Sequence, residues 1–191
     1  MQSEYMFQLL KQMKDGDQQA FRTMYDATYQ DVYRTVSFLV DHPQDREDVM
    51  NEIYMQMWTS LANYDTNRPF LFWLHGLVIR QVQRFRVKRW RRFRIFERIR
   101  DFAREESHWD QPSVLMDGTN QLISQAIQKL TDKQRAVIIL RFFHDYTLEE
   151  IATILDIPLG TVKSRYHAGI QALRKNIWNL PPERMEKIND Y

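Results

Sequence analysis

The sequence predicts an all-α protein of two small helical domains joined by a flexible linker. Apolar residues recur at three- and four-residue spacing through most of the 191 residues, and no stretch of convincing length alternates as a β-strand does. Residues 105–118 lose this periodicity, turn acidic and include Pro112 and Gly118, which is typical of a connection between domains. The predicted boundaries are a first domain over 1–100, a linker over 101–118, a second domain over 119–180 and a tail over 181–191.

Four helices are predicted in the first domain. The first covers residues 4–14, and Asp17 can cap a long second helix whose aromatic residues are expected on its inner face. A third helix follows over about 44–61, and a polar loop over 63–69 separates it from a fourth helix that begins at Phe70. The residues of the third helix expected to face inward are Val49, Ile53, Met57 and Leu61.

A band of positive charge follows the start of the fourth helix. Of the 27 Lys and Arg residues, eleven lie between Arg80 and Arg104, together with two of the 25 acidic residues. The rest of the chain therefore carries 16 basic and 23 acidic side chains, so a polyanion-binding segment is embedded in an acidic protein. Aromatic residues are interspersed among the arginines, and this combination suits melted nucleic acid, because rings stack on unpaired bases while cations hold the backbone. For Phe85 and Trp90, burial in the core explains the ring equally well.

The second domain contains the clearest local pattern, a helix-turn-helix over Thr147 to Tyr166. Thr147 and Glu150 form a capping box that starts a helix, and the Asp-Ile-Pro sequence at 156–158 interrupts it before a second helix begins near Leu159. Two support helices are predicted upstream, the later one opened by a capping box of its own.

The second helix of this motif has a predictable orientation. Its buried stripe at helical spacing consists of Leu159, Val162, Tyr166, Gly169 and Leu173. Ser164 and His167 then point outward, with Lys163 and Arg165 on the flanks. This short polar and cationic face suits the major groove, where base edges are read by hydrogen bonds and phosphates by charge. An ordinary solvated pair of helices gives the same local pattern, so the motif alone does not establish DNA binding.

Several classes of function are disfavoured by what the sequence lacks. The absence of Cys excludes disulfides, thiol nucleophiles and Cys-ligated zinc. The five His residues share no metal-ligand spacing, the five Gly residues form no phosphate loop, and no Ser/His/acid set can be nominated. No apolar run approaches the roughly 20 residues of a membrane span, and the N-terminus lacks the features of a signal peptide. We therefore expect a cytoplasmic protein that is not an enzyme, needs no metal or cofactor and has no small-molecule substrate.

Four segments of the chain, in order, resemble bacterial RNA polymerase sigma factors of the extracytoplasmic-function group within the sigma-70 family. They are GDQQAF with the Tyr-rich helix, DREDVMNEIYMQMW, RPFLFWLHGLVI, and LTDKQRAVIILRFFHDYTLEEIATILDIPLGTVKSRYHAGIQALRK. The last is the most specific, because GTVKSR and the preceding LRFF helix occur together. The resemblance implies a region 2 helical bundle that docks on core polymerase and opens the −10 element. It also implies a region 4 helix-turn-helix that reads the −35 element as duplex.

The resemblance also assigns residues to these roles. Core polymerase, through the clamp coiled coil of its largest subunit, would contact Asp48, Glu52, Ile53 and Trp58. Recognition and melting of the −10 element would involve Tyr64, Asp65, Arg68, Trp73, Arg80 and Arg84, the first three in a loop that accepts a flipped base. The −35 element would be contacted by Lys163, Ser164, Arg165 and His167. The acidic third helix agrees with a basic protein partner, although acids in a first turn also stabilise the helix dipole.

Two departures from the family pattern affect the DNA contacts. Arg80 and Arg84 stand where the family commonly has Asn and Asp, so its −10 preference does not carry over to this chain. In the recognition helix, Ala168 and Ile170 stand where the family frequently has Arg. The −35 contacts therefore depend on the four residues named above.

The function predicted from these observations is that of an initiation factor. It would bind core RNA polymerase, direct it to the promoters of a stress-response regulon and help to melt them. By resemblance alone, a further partner would be an anti-sigma factor, a class that is often membrane-bound and would hold the protein at the inner membrane face. The alternative is a dimeric helix-turn-helix regulator that binds operator DNA, which leaves the melted-strand composition and the acidic third helix unexplained.

Overall fold

The computed structural model describes residues 2–66, 68–99 and 125–178, and every regular element within these ranges is helical. Two compact units are distinguished, the first over Met1–Arg89 and the second over Trp90–Tyr191. The prediction of an all-α chain of two helical domains is confirmed. The predicted linker over 101–118 and the tail over 181–191 lie outside the described residues. None of the described helices has the length and apolar character needed to span a membrane.

The first unit begins with three helices close to the predicted positions. They are α1 at Gln2–Lys14, α2 at Gln18–Leu39 and α3 at Pro43–Ser60. The Asp17 carboxylate caps α2 as predicted, because it accepts hydrogen bonds from the backbone N–H groups of Gln19 at 2.8 Å and Ala20 at 3.2 Å. Gly16 has a φ of 88° and makes the turn between α1 and α2 in a conformation that favours glycine.

The inner faces of α2 and α3 meet in the core of this unit. All four residues predicted to face inward from α3 are buried. On α2 the core side is mostly aliphatic and consists of Ala20, Met24, Val32, Val36, Phe38 and Leu39, with Thr28 and Thr35. Tyr25, Tyr29 and Tyr33 are only half-buried and contact one another in series along the helix, with ring centroids 5.3 and 5.8 Å apart. The predicted aromatic inner face is therefore wrong for these rings, which lie at the edge of the apolar stripe.

A buried arginine fixes α3 to the end of α2. Arg46 Nε donates to the Val40 carbonyl at 2.9 Å, and its Nη2 donates to the Asp41 carbonyl at 3.4 Å. Carbonyl groups at a helix C-terminus lack intrahelical donors and favour a nearby cation. Arg46 thus satisfies the end of α2 and sets the position at which α3 begins.

The fourth helix extends well beyond the residues that show apolar helical spacing. A 3₁₀ turn over Leu61–Asn63 leads into the loop, and α4 then spans Phe70–Ile99. Four apolar residues of its first half, Leu74, Leu77, Val78 and Val82, are buried. The basic band over 80–99 therefore continues the same helix beyond its packed first half.

After a helical turn over 125–128, the described part of the second unit forms three helices. They are α5 at Asp132–Phe142, α6 at Leu148–Leu155 and α7 at Leu159–Trp178. Both capping boxes are confirmed, Thr131 with Gln134 at the start of α5 and Thr147 with Glu150 at the start of α6. Asp156 ends α6 in the left-handed conformation with a φ of 53°. The predicted helix-turn-helix is thus present as α6 and α7.

Helix α5 is the central packing element of this unit. Its residues 135–140 are all buried, including Ile138 beneath α7. Phe143, which continues the apolar spacing of α5, is instead 46% exposed. It follows the last turn of α5, where the chain leaves the helix and the apolar spacing no longer determines direction.

Candidate nucleic-acid interface

Helix α7 presents the outward face predicted from its sequence. Lys163, Ser164 and His167 are exposed, and Arg165 is half-buried. The Ser164 hydroxyl donates to the Thr161 carbonyl at 3.0 Å, so its lone pairs stay available to another donor. The described side chains of this helix, 159–175, include no acidic residue. The face can therefore offer hydrogen-bond donors, acceptors and cations to DNA without repelling its phosphates.

The opposite side of α7 lies very close to α5. Val162 and Gly169 are buried, and a Cβ atom built on Gly169 would lie 3.0 Å from Ile138 Cγ1 and 3.2 Å from Ile138 Cδ1. At the surface next to this contact, the Tyr166 ring stacks on Phe142 at 6.2 Å. The close approach fixes how far the outward face projects.

The loop between the 3₁₀ turn and α4 brings four predicted residues together. The Tyr64 hydroxyl donates to the Arg68 carbonyl, and the Tyr64 ring lies 5.0 Å from the ring of Trp73. Asp65 and Arg68 are both exposed, with 3.8 Å between the Asp65 carboxylate and the Arg68 guanidinium. Trp73 beside them is half-buried. An exposed acid, a cation and an aromatic ring in one loop region could surround an unpaired base.

Tyr64 supports this loop from below. Its side chain is 5% exposed and also contacts Phe70, with ring centroids 6.0 Å apart, so the expectation that it lines an open base pocket needs correction. Burial, and then the Asp65 charge, raise the pKa of the Tyr64 phenol, which favours the protonated hydrogen-bond donor. Lys14 at the end of α1 donates to the Tyr64 carbonyl at 3.3 Å and lies 5.8 Å above the ring centroid. Sequence reasoning missed Lys14 because 50 residues separate it from the loop.

Farther along α4, Arg80 and Arg84 are exposed as the predicted DNA contacts require. Although the Arg80 side chain is exposed, the protein atoms around it remove part of its hydration, and this desolvation, followed by the positive charge of Arg84, lowers the pKa of Arg80. Two guanidinium groups of like charge are therefore held near each other on this helix. A polyanion would relieve their repulsion.

Helix α3 carries the residues predicted to contact polymerase, with one correction. Asp48 and Glu52 are exposed, and Trp58 is partly exposed. Ile53 is 0% exposed because it points into the core with Val49 and Met57. It can support the surface but cannot touch a partner without disrupting the unit.

An apolar cavity of about 640 Å³ lies beside this acidic face. Its lining residues are Gln18, Phe21, Tyr25, Asn51, Tyr54, Met55 and Trp58. The Phe21 and Trp58 rings meet edge to face at 5.0 Å, and Met55 at the rim is 66% exposed. At the base, the Tyr54 hydroxyl hydrogen-bonds to the Thr28 hydroxyl at 3.0 Å. Of these residues, only Trp58 was predicted to contact a partner, although Met55 lies on the same helix.

Both helical units correspond to known protein families. The sigma-70 region 2 family model matches residues 24–92, and the sigma-70 region 4 family model matches residues 126–175. The chain is 31% identical over 183 residues to the ECF RNA polymerase sigma factor SigW of Bacillus subtilis, covering 90% of this chain and 96% of that protein. It is 27% identical over 174 residues to ECF RNA polymerase sigma factor SigX of the same organism, covering 88% and 89%.

Two solved structures share the fold at lower identity. The sigma factor RpoE of Bartonella quintana, in complex with the anti-sigma factor NepR, has a TM-score of 0.67 and 20% identity over 84% of this chain and 98% of that chain. CnrH, in complex with the cytosolic domain of CnrY, has a TM-score of 0.60 and 19% identity over 87% and 93%. The likeness extends over most of both chains.

Proposed function

Because the chain belongs to the extracytoplasmic-function group of the sigma-70 family, we propose that its two units divide transcription initiation between them. As an RNA polymerase sigma factor, the protein directs promoter-specific initiation. The first unit would bind core polymerase and open the −10 element, and the second would read the −35 element. The observation that carries this proposal is the match of region 2 and region 4 to separate helical units, each with an exposed face suited to its task.

The proposed polymerase contact combines the acidic face of α3 with the neighbouring apolar cavity. Asp48 and Glu52 would meet basic side chains of the clamp coiled coil, while the cavity at Met55 and Trp58 would receive an apolar side chain. An exposed apolar patch beside charges is typical of a protein-binding surface. Ile53 is not part of this proposed contact because it is buried.

The proposed −10 contact is the loop region at the start of α4. Asp65, Arg68 and Trp73 would surround an unpaired base, and Tyr64 would hold the loop from below. Arg80 and Arg84 would bind the DNA backbone next to that base. Arginine at both positions supports backbone contact in this chain without specifying which bases it prefers.

The proposed −35 contact is the outward face of α7. Ser164 and His167 would reach base edges, and Lys163 and Arg165 would contact phosphates and bases from the flanks. A dimeric operator-binding regulator is not favoured, because such a protein has no need of the region 2 unit.

We further propose the cellular setting of this activity. The protein would act in the cytoplasm on a stress-response regulon without catalysing a covalent step, and the 101–118 segment would link domains over 1–100 and 119–180. An anti-sigma factor would cover the exposed surfaces until induction and could hold the protein at the membrane. The RpoE and CnrH structures, whose partners are NepR and CnrY, support a partner of that kind.

A charge-reversal experiment tests the polymerase contact. Glu52→Lys should weaken binding of the full chain to core polymerase about tenfold, because like charges would then meet across the interface. The matched control Asp15→Lys makes the same charge change at an exposed position outside α3 and should retain affinity. Pull-down with core polymerase and run-off transcription provide the measurements. Unchanged core affinity in Glu52→Lys would show that α3 does not form this contact.

Alanine variants test the −35 contact separately. Lys163→Ala and Arg165→Ala should weaken binding of the holoenzyme to duplex containing the −35 element, since each removes a cation facing DNA. Core affinity should be unchanged in both. Sequence-specific DNA binding by a chain with no affinity for core polymerase would instead favour the operator-binding regulator.

A further inference from the structure

The second half of α4 exposes apolar side chains that the core of the first unit does not use. Val87 is 49% exposed and Trp90 is 56% exposed, although the first half of the same helix is packed in the core. The two positions are about 60° apart around the helix and about 4.5 Å apart along its axis, so they form one apolar stripe. An exposed apolar stripe with a polar border is typical of a surface that meets a protein or a membrane.

Cations lie directly beside this stripe. Arg91 is about 40° and Lys88 about 100° from Val87 around the helix, on the side away from Trp90, and both are exposed. We name the four residues Val87, Lys88, Trp90 and Arg91 the α4 patch. Within the described part of the chain, neither cation of the patch forms an ion pair with a carboxylate. The positive charge of the patch is therefore available to a partner.

Two other arginines of α4 fix the direction in which the patch faces. The Arg86 guanidinium donates to the Leu39 carbonyl, and Arg89 Nη1 lies 2.6 Å from Asp45 Oδ2. These arginines turn toward the ends of α2 and α3, and Arg89 is about 160° from Val87 around the helix. The centre of the patch consequently points away from α2 and α3.

The composition of the patch continues to the end of the helix. Residues 87–99 comprise six apolar residues, six Arg or Lys residues and one acid, Glu97, and α4 extends to Ile99. Helices that lie in a membrane surface combine Trp and aliphatic residues with Lys and Arg, because the apolar residues enter the acyl boundary while the cations meet anionic headgroups. Long cationic side chains reach the headgroups even when they start beside the apolar stripe.

The aliphatic member of the patch favours a lipid surface over nucleic acid. Both partners are anionic, and a Trp ring stacks on an unpaired base as readily as it enters a headgroup layer. Val87 has neither a ring to stack nor a group that can donate a hydrogen bond to phosphate. It nevertheless lies in the middle of the cationic row, three residues after Arg84 and four before Arg91. Only a membrane surface uses both the charge and this apolar group.

We propose that the α4 patch binds the surface of a membrane that contains anionic lipids, with Val87 and Trp90 in the headgroup layer and Lys88 and Arg91 at lipid phosphates. This contact requires no anti-sigma factor. Arg84, one turn from Val87 on the same side of α4, is a proposed contact of the DNA backbone. A chain that lies on the membrane through this patch therefore does not bind promoter DNA at the same time, and the membrane competes with the promoter for the protein.

Flotation of the full chain with lipid vesicles tests the charge of the patch. The parent should bind vesicles of equal parts phosphatidylglycerol and phosphatidylcholine at least about 25-fold more tightly than vesicles of phosphatidylcholine alone, since each cation near an anionic surface contributes about fivefold. Lys88→Gln/Arg91→Gln should lose about 25-fold in affinity for the anionic vesicles. If the parent did not bind the anionic vesicles, the proposal would be overturned.

Charge-preserving variants test the apolar stripe. Val87→Ser should weaken binding to the anionic vesicles about fivefold, and Val87→Ser/Trp90→Ser at least about 25-fold. This loss should persist at about 1 M salt, where the screening length is only about 3 Å and charge attraction is largely removed. The matched control is Leu71→Ser, because Leu71 is an aliphatic residue of α4 that is 43% exposed and lies about 24 Å before Val87 along the helix. It should retain the parental affinity.

Two results would overturn the role of the apolar stripe. Equal vesicle affinity of the parent and Val87→Ser/Trp90→Ser would show that these residues stay outside the membrane. Unchanged vesicle affinity of this variant, together with weaker binding of its holoenzyme to promoter DNA, would assign the patch to nucleic acid instead.

Discussion

The contact between α7 and α5 predicts that one substitution will have opposite effects at two glycines of the same helix. Gly169→Ala adds a methyl group that would lie 3.0 Å from Ile138 Cγ1, 3.2 Å from Ile138 Cδ1 and 3.6 Å from Gln134 Cβ. Gly160→Ala adds the same group where no atom lies within 4 Å. Alanine has the better helix propensity, and Gly169 in the interior of α7 gains more from it than Gly160 in the first turn, so a loss of stability at Gly169 beside a gain at Gly160 must come from packing.

The expected magnitudes follow from these distances. Favourable carbon contacts lie at about 3.5–4.0 Å, so the Gly169→Ala methyl requires a shift of roughly 0.5 Å from a buried, branched side chain. Overpacking of this kind costs about 1–3 kcal/mol, which equals or exceeds the propensity gain of about 1 kcal/mol and leaves a net loss of about 0–2 kcal/mol. Gly160→Ala should stabilise by about 0.4–1 kcal/mol.

Calorimetry of the full chain can measure both effects in the melting transition of the second unit. A change of 1 kcal/mol shifts Tm by about 4–8 °C in a domain of this size, so the two variants should move Tm in opposite directions. Gly169→Ala should also weaken −35 binding, because displacing α7 moves its outward face. If Gly169→Ala raised Tm as much as Gly160→Ala, the close approach of α7 to α5 would not be rigid and this reasoning would fail.

Three further predictions concern contacts in the two units. Lys14→Met should slow promoter opening about fivefold, because it removes a charged hydrogen bond and a cation–π contact beneath the loop. The control Lys11→Met should leave the opening rate unchanged. Permanganate footprinting measures this rate. Arg46→Met should destabilise the first unit by about 2–4 kcal/mol in urea unfolding, because it leaves carbonyls at the end of α2 without donors. Asp156 has a left-handed backbone conformation, which glycine adopts easily and valine does not. Asp156→Gly should therefore stabilise the second unit by about 0.5–1 kcal/mol, and Asp156→Val should destabilise it. A lower Tm for Asp156→Gly than for Asp156→Val would contradict this explanation.

The sequence was most informative where local chemistry determines structure. The capping boxes at Thr131 and Thr147 predicted the starts of α5 and α6. A capping box is recognised from sequence alone, because it needs Ser or Thr at the helix start and Glu or Gln three residues later. The apolar spacing of α3 likewise predicted its buried residues. The same kind of spacing on α2 wrongly placed Tyr25 on the inner face. A residue at the edge of an apolar stripe recurs at the same sequence spacing as a residue at its centre, so spacing alone does not distinguish them.

The candidate sites depend more on contacts between distant residues, which spacing does not reveal. Family resemblance brought Ile53 into the polymerase contact, although its position in the helical period already put it in the core. The support of Tyr64 by Lys14 joins α1 to the loop, and the apolar cavity joins Phe21 of α2 to Met55 of α3. This contact and this cavity form only when the helices are packed together, so residue spacing within one helix does not predict them.

The cations of α4 show how composition and geometry contribute differently to a functional argument. Their number indicates that the partner is an anion, because clustered cations create a positive potential that attracts one. It does not indicate which of them meet that partner. Arg89 and Lys88 are adjacent, exposed and carry the same charge, yet Arg89 pairs with Asp45, whereas no carboxylate of the described residues pairs with Lys88. A rotation of about 100° between neighbouring residues is enough to separate a structural cation from one available to an anionic partner.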